Sequence, residues 1–346
     1  MQNKKFLNYP TQPFIVSEKK SIRTILNEMS KISFQGRNLA LAFQIYQKML
    51  REKTFIFLGL SGAMVPAGMR RIISYLIKNR YLDCIVSTGA NIFHDIHEAL
   101  GRYHYLGSSN CDDRELYRCR IDRIYDTFAS EEEFIKTDNF ISKFAEKLPD
   151  RLYTTREFFY LLGKYIKKYQ QTKGVKITDS IIVSAAKANV PIYCPALADS
   201  SIGIALAELF YHKKKKIKFD IIKDIEETAY LAARFASSSV IYIGGGVPKN
   251  FIQQTEVTAP FLGYQVKGHK YAIQITQDSP HWGGLSGCTF TESQSWGKIA
   301  LDAKTVTLYA EATVVLPILV SGLAQVKIKR KYIPHLIINQ DTIKSR

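Results

Sequence analysis

A unit that recurs along the chain constrains its fold most: a short β-rich run, a turn of small residues, then an amphipathic stretch. Thr54–Gly59 (TFIFLG) passes into LSGAMV and then Pro66, which is well placed to open a helix reaching Lys78. Asp83–Gly89 (DCIVSTG) leads into a predicted helix over 92–100, and Ser239–Gly246 (SVIYIGGG) repeats the strand-into-glycine pattern. Val190–Pro195, Tyr271–Thr276 and Thr305–Tyr309 read as further strands. Residues 39–50, 155–170, 179–188, 219–235 and 313–323 read as helices. Strand, turn and helix in this alternation are the signature of a parallel sheet wrapped by helices. The expected class is α/β and Rossmann-like, a mostly parallel sheet flanked by helices with an N-terminal helical arm.

Residues 1–36 are read as that arm, with a short helix over 21–32, and 37–346 as a single α/β domain. Residues 101–150, rich in Tyr, Asp, Arg and Glu, are read as a partly helical insertion. With 46% hydrophobic and 23% charged residues among 346, the composition is that of a globular enzyme. No apolar run approaches the ~18–20 residues that cross a bilayer, so no membrane partner is expected. The N-terminus lacks an apolar signal core, and the five cysteines show no CxxC spacing. Both point to a cytoplasmic protein with reduced thiols. His94 and His97 stand at i, i+3 without an HExxH pattern, so no metal site is expected. The net charge of +17 includes Lys213–Lys216 and Lys327–Lys331. Neither run has interleaved aromatics, so it is read as a solvated surface and nucleic acid is not an expected partner.

Ligands of open parallel sheets bind beyond the carboxyl ends of the strands. Those ends carry Ser61-Gly62, Thr88-Gly89-Ala90, Asp199, Gly244–Gly246 and Glu311-Ala312. Small residues let backbone N–H groups approach a phosphate, and carboxylates suit ribose hydroxyls. No strict GxGxxG follows the first strand, so a tight turn without ligand is the competing reading. Near the C-terminus, Lys298 follows Trp296 by two residues and Glu292 by six. An amine in a partly dry pocket can act as a nucleophile; an indole face attracts a cation, and a carboxylate can pair with an amine substrate. The alternative is a surface lysine beside a packing tryptophan.

Taken in order, FLGLSGAMVPAG, VSTGANIFHD, PALADSSIG, IGGGVPKN and SWGK with its upstream glutamate resemble the blocks of deoxyhypusine synthases over roughly residues 40–325. They look most like the bacterial deoxyhypusine synthase-like (homospermidine synthase-like) branch. The resemblance implies NAD-dependent transfer of the aminobutyl group of spermidine, carried as an imine on a lysine, here Lys298. It implies polyamine contacts for Glu292, Trp296 and Asn250. It implies NAD contacts at or beside Gly62, Thr88, Gly89, Ala90, Asp199, Gly245, Glu311 and Ala312. A homotetramer with sites at subunit interfaces is implied as well.

The departures bear on the substrate. Asn250 stands where the protein-modifying enzymes have a histidine. Ile204 and Leu285 occupy two positions of carboxylates that hold spermidine, and Phe93 and His94 those of paired glutamates. Loss of each anionic partner costs on the order of 1–3 kcal/mol in a partly buried pocket. Asp95, Asp199 or Asp278 are the candidates to compensate. The acceptor expected is therefore a small diamine such as putrescine, giving homospermidine; a translation-factor lysine is the alternative. A non-catalytic relative that binds NAD or polyamine is the other competing reading.

Overall fold

The computed structural model describes residues 7–338 and 343–345. Its centre is a sheet of six parallel strands: β1 (Phe55–Leu60), β2 (Cys84–Ser87), β3 (Ile192–Tyr193), β4 (Ser238–Ile243), β5 (His269–Thr276) and β6 (Ile299–Tyr309). The spatial order is β6-β5-β4-β1-β2-β3. β1 and β4 lie in the middle with every residue buried, which is why FIFLGL and SSVIYI read as continuous runs rather than alternating ones. Gly59 permits this contact, since a Cβ there would meet the Tyr242 ring at 2.8 Å. From β1 the chain winds outward through β2 to β3, then returns to β4 on the other side. This reversal opens a crevice at the carboxyl ends of β1 and β4.

β6 is an edge strand. Gln35 Oε1 accepts from Tyr309 N (2.9 Å) and Asn38 Nδ2 donates to Thr307 O (3.2 Å), so side chains of the helix Phe34–Arg51 occupy part of its free ladder. Pairing between β5 and β6 jumps from His269↔Ile299 to Tyr271↔Lys304, so β6 carries a bulge near its start.

The parallel sheet expected from the sequence is present, but several details differ. Pro66 does not open a helix: Gly68 takes φ +83 and the helix begins at Arg70. In the N-terminal region, Ile22–Met29 is helical and Leu26 is fully buried against Gly322. The stretch read as a partly helical insertion also contains a small antiparallel sheet of Tyr105–Leu106, Ile121–Ile124 and Thr127–Ser130. Its hairpin turns at Tyr125 (φ 55), a bulky residue where glycine or asparagine would have marked the turn. The basic C-terminal tail folds back onto the domain. Lys327 ends the helix Ala312–Val326 in the left-handed region, and Arg330 then enters the interior. Its two Nη atoms each lie 2.7 Å from an oxygen of Asp83, and neither side chain is exposed.

Candidate active site

Two βα turns face one another across the β1–β4 crevice. Ser61 donates from Oγ to the carbonyl of Gly245, and Gly62 (φ +67) and Gly246 (φ +55) adopt the left-handed region. Asn91, fully buried, ties the first turn to the second strand's helix. Its Nδ2 reaches Gly62 O (3.0 Å) and Thr88 Oγ1 (2.9 Å), and its Oδ1 accepts from Met64 N (2.7 Å). The Thr88 hydroxyl donates to Gly62 O (2.8 Å), so the helix Gly89–Ala99 starts without a side-chain cap. The helix Gly246–Phe261 likewise has no side-chain cap from its N-cap residue, Gly245. Elsewhere Thr154 and Ser180 cap the helices they precede. Gly246 N donates instead to Ser286 Oγ (2.9 Å), so the uncapped start of the helix Gly89–Ala99, with small residues at the switch point of the sheet, is what suits a phosphate.

Glu311 and Ala312 stand at the same end of the sheet but beyond β6, three strands from β1, on the order of 14 Å away. Glu311 caps the helix Ala312–Val326, its Oε2 accepting from Thr313 N (2.7 Å) and Val314 N (3.2 Å). Asp199 lies beyond β3, on the opposite side. It could have been a helix cap, but Ser200 takes the N-cap position and the Asp199 side chain is exposed.

The lysine loop is organised by a buried polar seam on the helix Gly246–Phe261. Lys249, Gln253 and Glu256, spaced four and three apart, share one face of that helix. Lys249 Nζ donates to Gln274 Oε1 (3.0 Å) and Cys288 O (2.6 Å), and Gln253 Nε2 donates to Ser293 Oγ (3.1 Å). Glu256 Oε2 accepts from Gly268 N (3.0 Å). Ser293 O in turn accepts from Lys298 N (3.1 Å), while Lys298 O accepts from His269 N (3.1 Å). The Lys298 backbone is thus fixed between the seam and β5. Its half-buried side chain places Nζ 5.1 Å from the Trp296 ring centroid. Trp296 is 66% exposed, so it does not pack against the loop as a structural tryptophan would. Glu292 is exposed on the short helix Phe290–Gln294.

Sequence reasoning missed Lys249. Burial pushes its amine down to about 8, and the charges of Glu292, Asp278 and Lys298 act on it. The polar spacing 249, 253, 256 was the available signal. Asn250 does not cap a helix; it lies within one and lines, with Leu285, a cleft of about 260 Å³. Ile204 is 63% exposed and Leu285 39%. Asp95 is unavailable to an amine, because it is buried and accepts from Ser180 Oγ, Ile181 N and Ile182 N at 2.8–2.9 Å. Asp278 is exposed. His94 and His97 are buried: His94 Nδ1 lies 2.9 Å from His104 Nε2, and His104 Nδ1 lies 2.7 Å from Glu98. Among the described residues, no group of three or more His, Cys, Asp or Glu is placed to hold a metal ion. No described helix is long and apolar enough to cross a membrane.

The family model for deoxyhypusine synthase matches residues 24–323. The chain belongs to the deoxyhypusine synthase family. It is 52% identical to "Probable deoxyhypusine synthase 2" of Methanosarcina mazei over 93% of this chain and 92% of that protein. It is 49% identical to the protein of the same description from Archaeoglobus fulgidus, over 88% of this chain and 98% of that one. Identity to the "Deoxyhypusine synthase-like protein" of Chlorobaculum tepidum is 38%, over 94% and 91%. These archaeal identities exceed the bacterial one, although the blocks look bacterial. A crystal structure of a candidate deoxyhypusine synthase from Entamoeba histolytica shares the fold, with a TM-score of 0.60 at 20% identity over 90% of this chain and 95% of that one. Members of the family are NAD-dependent aminobutyl transferases, and this chain is an enzyme of that kind. The crevice described above fits NAD: Gly62 and Gly246 leave open space at the two turns, and the helix Gly89–Ala99 starts without a side-chain cap at the switch point.

Proposed function

We propose that the chain moves an aminobutyl group from spermidine or a related polyamine to a small diamine such as putrescine, with Lys298 as the carrier. The observation that carries this reading is the Lys298 amine standing 5.1 Å from the indole of Trp296, with Glu292 on the preceding short helix. The ring face attracts a cationic chain, and the carboxylate gives its far amine a counter-charge. Bound NAD supplies the hydride acceptor and, at the end, the hydride donor. Gly62, Thr88, Gly89, Ala90 and Gly245 would hold its phosphates, and Asp199, Glu311 and Ala312 would meet its outer parts. Lys298 in its neutral form attacks the oxidised carbon and displaces 1,3-diaminopropane, leaving the butyl imine on its Nζ. The acceptor amine then displaces Lys298.

A small acceptor is supported by Ile204 and Leu285 at positions of polyamine-clamping carboxylates. Both are apolar and partly exposed, and Asp95 is committed to a helix cap. Asn250 beside Leu285 offers a neutral hydrogen-bonding group to the amine. Trp296, Leu285 and Ile204 are exposed apolar side chains, which supports a second subunit of a homotetramer covering them. The second reading, transfer to a lysine of a translation factor, is supported by the description of the archaeal relatives. Purified enzyme with spermidine and NAD, given either putrescine or a factor-5A-type protein, separates the two. Homospermidine with the first acceptor and no protein modification is the expected result. Protein modification alone would reverse the order, and no 1,3-diaminopropane with either acceptor would exclude both.

A further inference from the structure

Beyond residue 323, where the family match ends, the tail builds one wall of a cleft of about 570 Å³ at the amino end of β1. Lys53, Arg234, Lys331 and His335 line it together with Phe235 and Tyr332, and among the described residues no carboxylate does. The wall is held in place. Arg330 reaches Thr54 O (2.6 Å) besides Asp83, Arg80 Nη2 donates to Pro334 O (3.1 Å), and Tyr81 Oη donates to Ile328 O (3.0 Å). A second cleft, of about 900 Å³, shares Lys53, Phe235 and Ala236 with the first and adds Lys267 and Lys270. Two of its acids are already engaged: Glu52 by Lys270 and Tyr271 (both 2.6 Å), and Glu256 within the polar seam. Asp302 is the remaining one. The second cleft therefore balances its charges, and the basic cleft is the first one, at the end of the sheet opposite the nucleotide crevice.

We propose that this basic cleft binds a single-stranded polynucleotide, with phosphates along Lys53 and Lys331 and a base against Tyr332. An acidic polypeptide would match the charge but has no use for a half-exposed ring set between cations; a polynucleotide alternates charge with flat rings. The carboxyl end of the helix Ile221–Arg234 points partial negative charge into the groove. That effect fades within a turn and is outweighed by the side chains around it.

The test is fluorescence anisotropy of the full chain with a labelled oligouridylate of about 12 nucleotides across a salt series. The Lys53→Glu/Lys331→Glu variant is compared with Lys214→Glu/Lys216→Glu, which makes the same charge change on a distant exposed run, and with Tyr332→Ala. The cleft variant is expected to lose about 30-fold or more in affinity and to flatten the salt slope by about 2, with the control losing about threefold or less. Tyr332→Ala is expected to lose about 5- to 30-fold with its salt slope unchanged. Equal losses in the two charge variants would overturn the proposal in favour of diffuse attraction by the +17 chain. An unaltered affinity in Tyr332→Ala, or displacement by poly-glutamate as effective as by unlabelled oligonucleotide, would overturn it in favour of an acidic polypeptide.

Discussion

Lys249 Nζ lies 3.0 Å from Gln274 Oε1, so a fully buried cation joins the glycine turn after β4 to strand β5. The same amine bonds Cys288 O, which makes it the upper anchor of the loop that ends at Lys298. Replacing it with methionine keeps the volume but strands those acceptors. Lys249→Met is expected to cost about 2–3 kcal/mol in denaturant unfolding. Between pH about 8 and its ordinary 10.5 the unfolded chain holds a proton that the folded chain has released. Wild-type stability should therefore gain from this group as pH rises through that window, and the variant should lack that gain.

Lys298→Ala should abolish trapping. Wild-type protein incubated with spermidine and NAD, then reduced with borohydride, should carry a covalent adduct on the peptide containing Lys298, read by mass spectrometry. An adduct of equal yield on the variant would place the carrier elsewhere.

Trp296→Ala should leave that adduct chemistry in place and weaken polyamine binding. Loss of one cation–π contact at a partly exposed ring predicts a KM for the donor raised about 3- to 30-fold with a smaller change in kcat. Steady-state kinetics on 1,3-diaminopropane release measures it.

The Arg330–Asp83 pair is buried on both sides, and removing Arg330 leaves Asp83 with only the longer Arg80 contact (3.5 Å) and the Ile56 N–H (2.9 Å). Arg330→Met is expected to destabilise the chain by about 3–5 kcal/mol. Limited proteolysis should then cut the tail first, since Arg330 is its buried anchor beside the contacts of Arg80 and Tyr81.

Burial, with His104 next to both, holds His94 and His97 down to about 3. Glu98, Glu133, Arg70 and Arg102 surround this cluster. The unfolded chain protonates these rings near 6.5 and the folded chain does not, so their contribution to stability falls as pH drops through 6.5. Histidine ring proton shifts of His94 and His97 should stay flat between about pH 5 and 8 in the folded protein.

The sheet was legible because its central strands are buried on both faces and end in glycine, a pattern that survives without knowledge of partners. The glycine turns at the strand ends were legible for the same reason, and the nearness of Lys298 to Trp296 from their spacing in the loop. The polar seam was not, because Lys249 reads as one more lysine in a basic chain until the fold shows what covers it. Tyr125 hid a hairpin by taking a backbone region that its side chain does not advertise. The tail read as a solvated charge run, although Arg330 within it lies in the core.

The jump in pairing between β5 and β6 lies just past the first residue of β6, next to Lys298. It gives the backbone just after Lys298 an irregular course of its own. An insertion or deletion at this edge could slide the amine along the groove while β1, β2 and β4 keep their registry. A change in chain length here is thus expected to move the Lys298 amine and leave the turns after β1 and β4 in place.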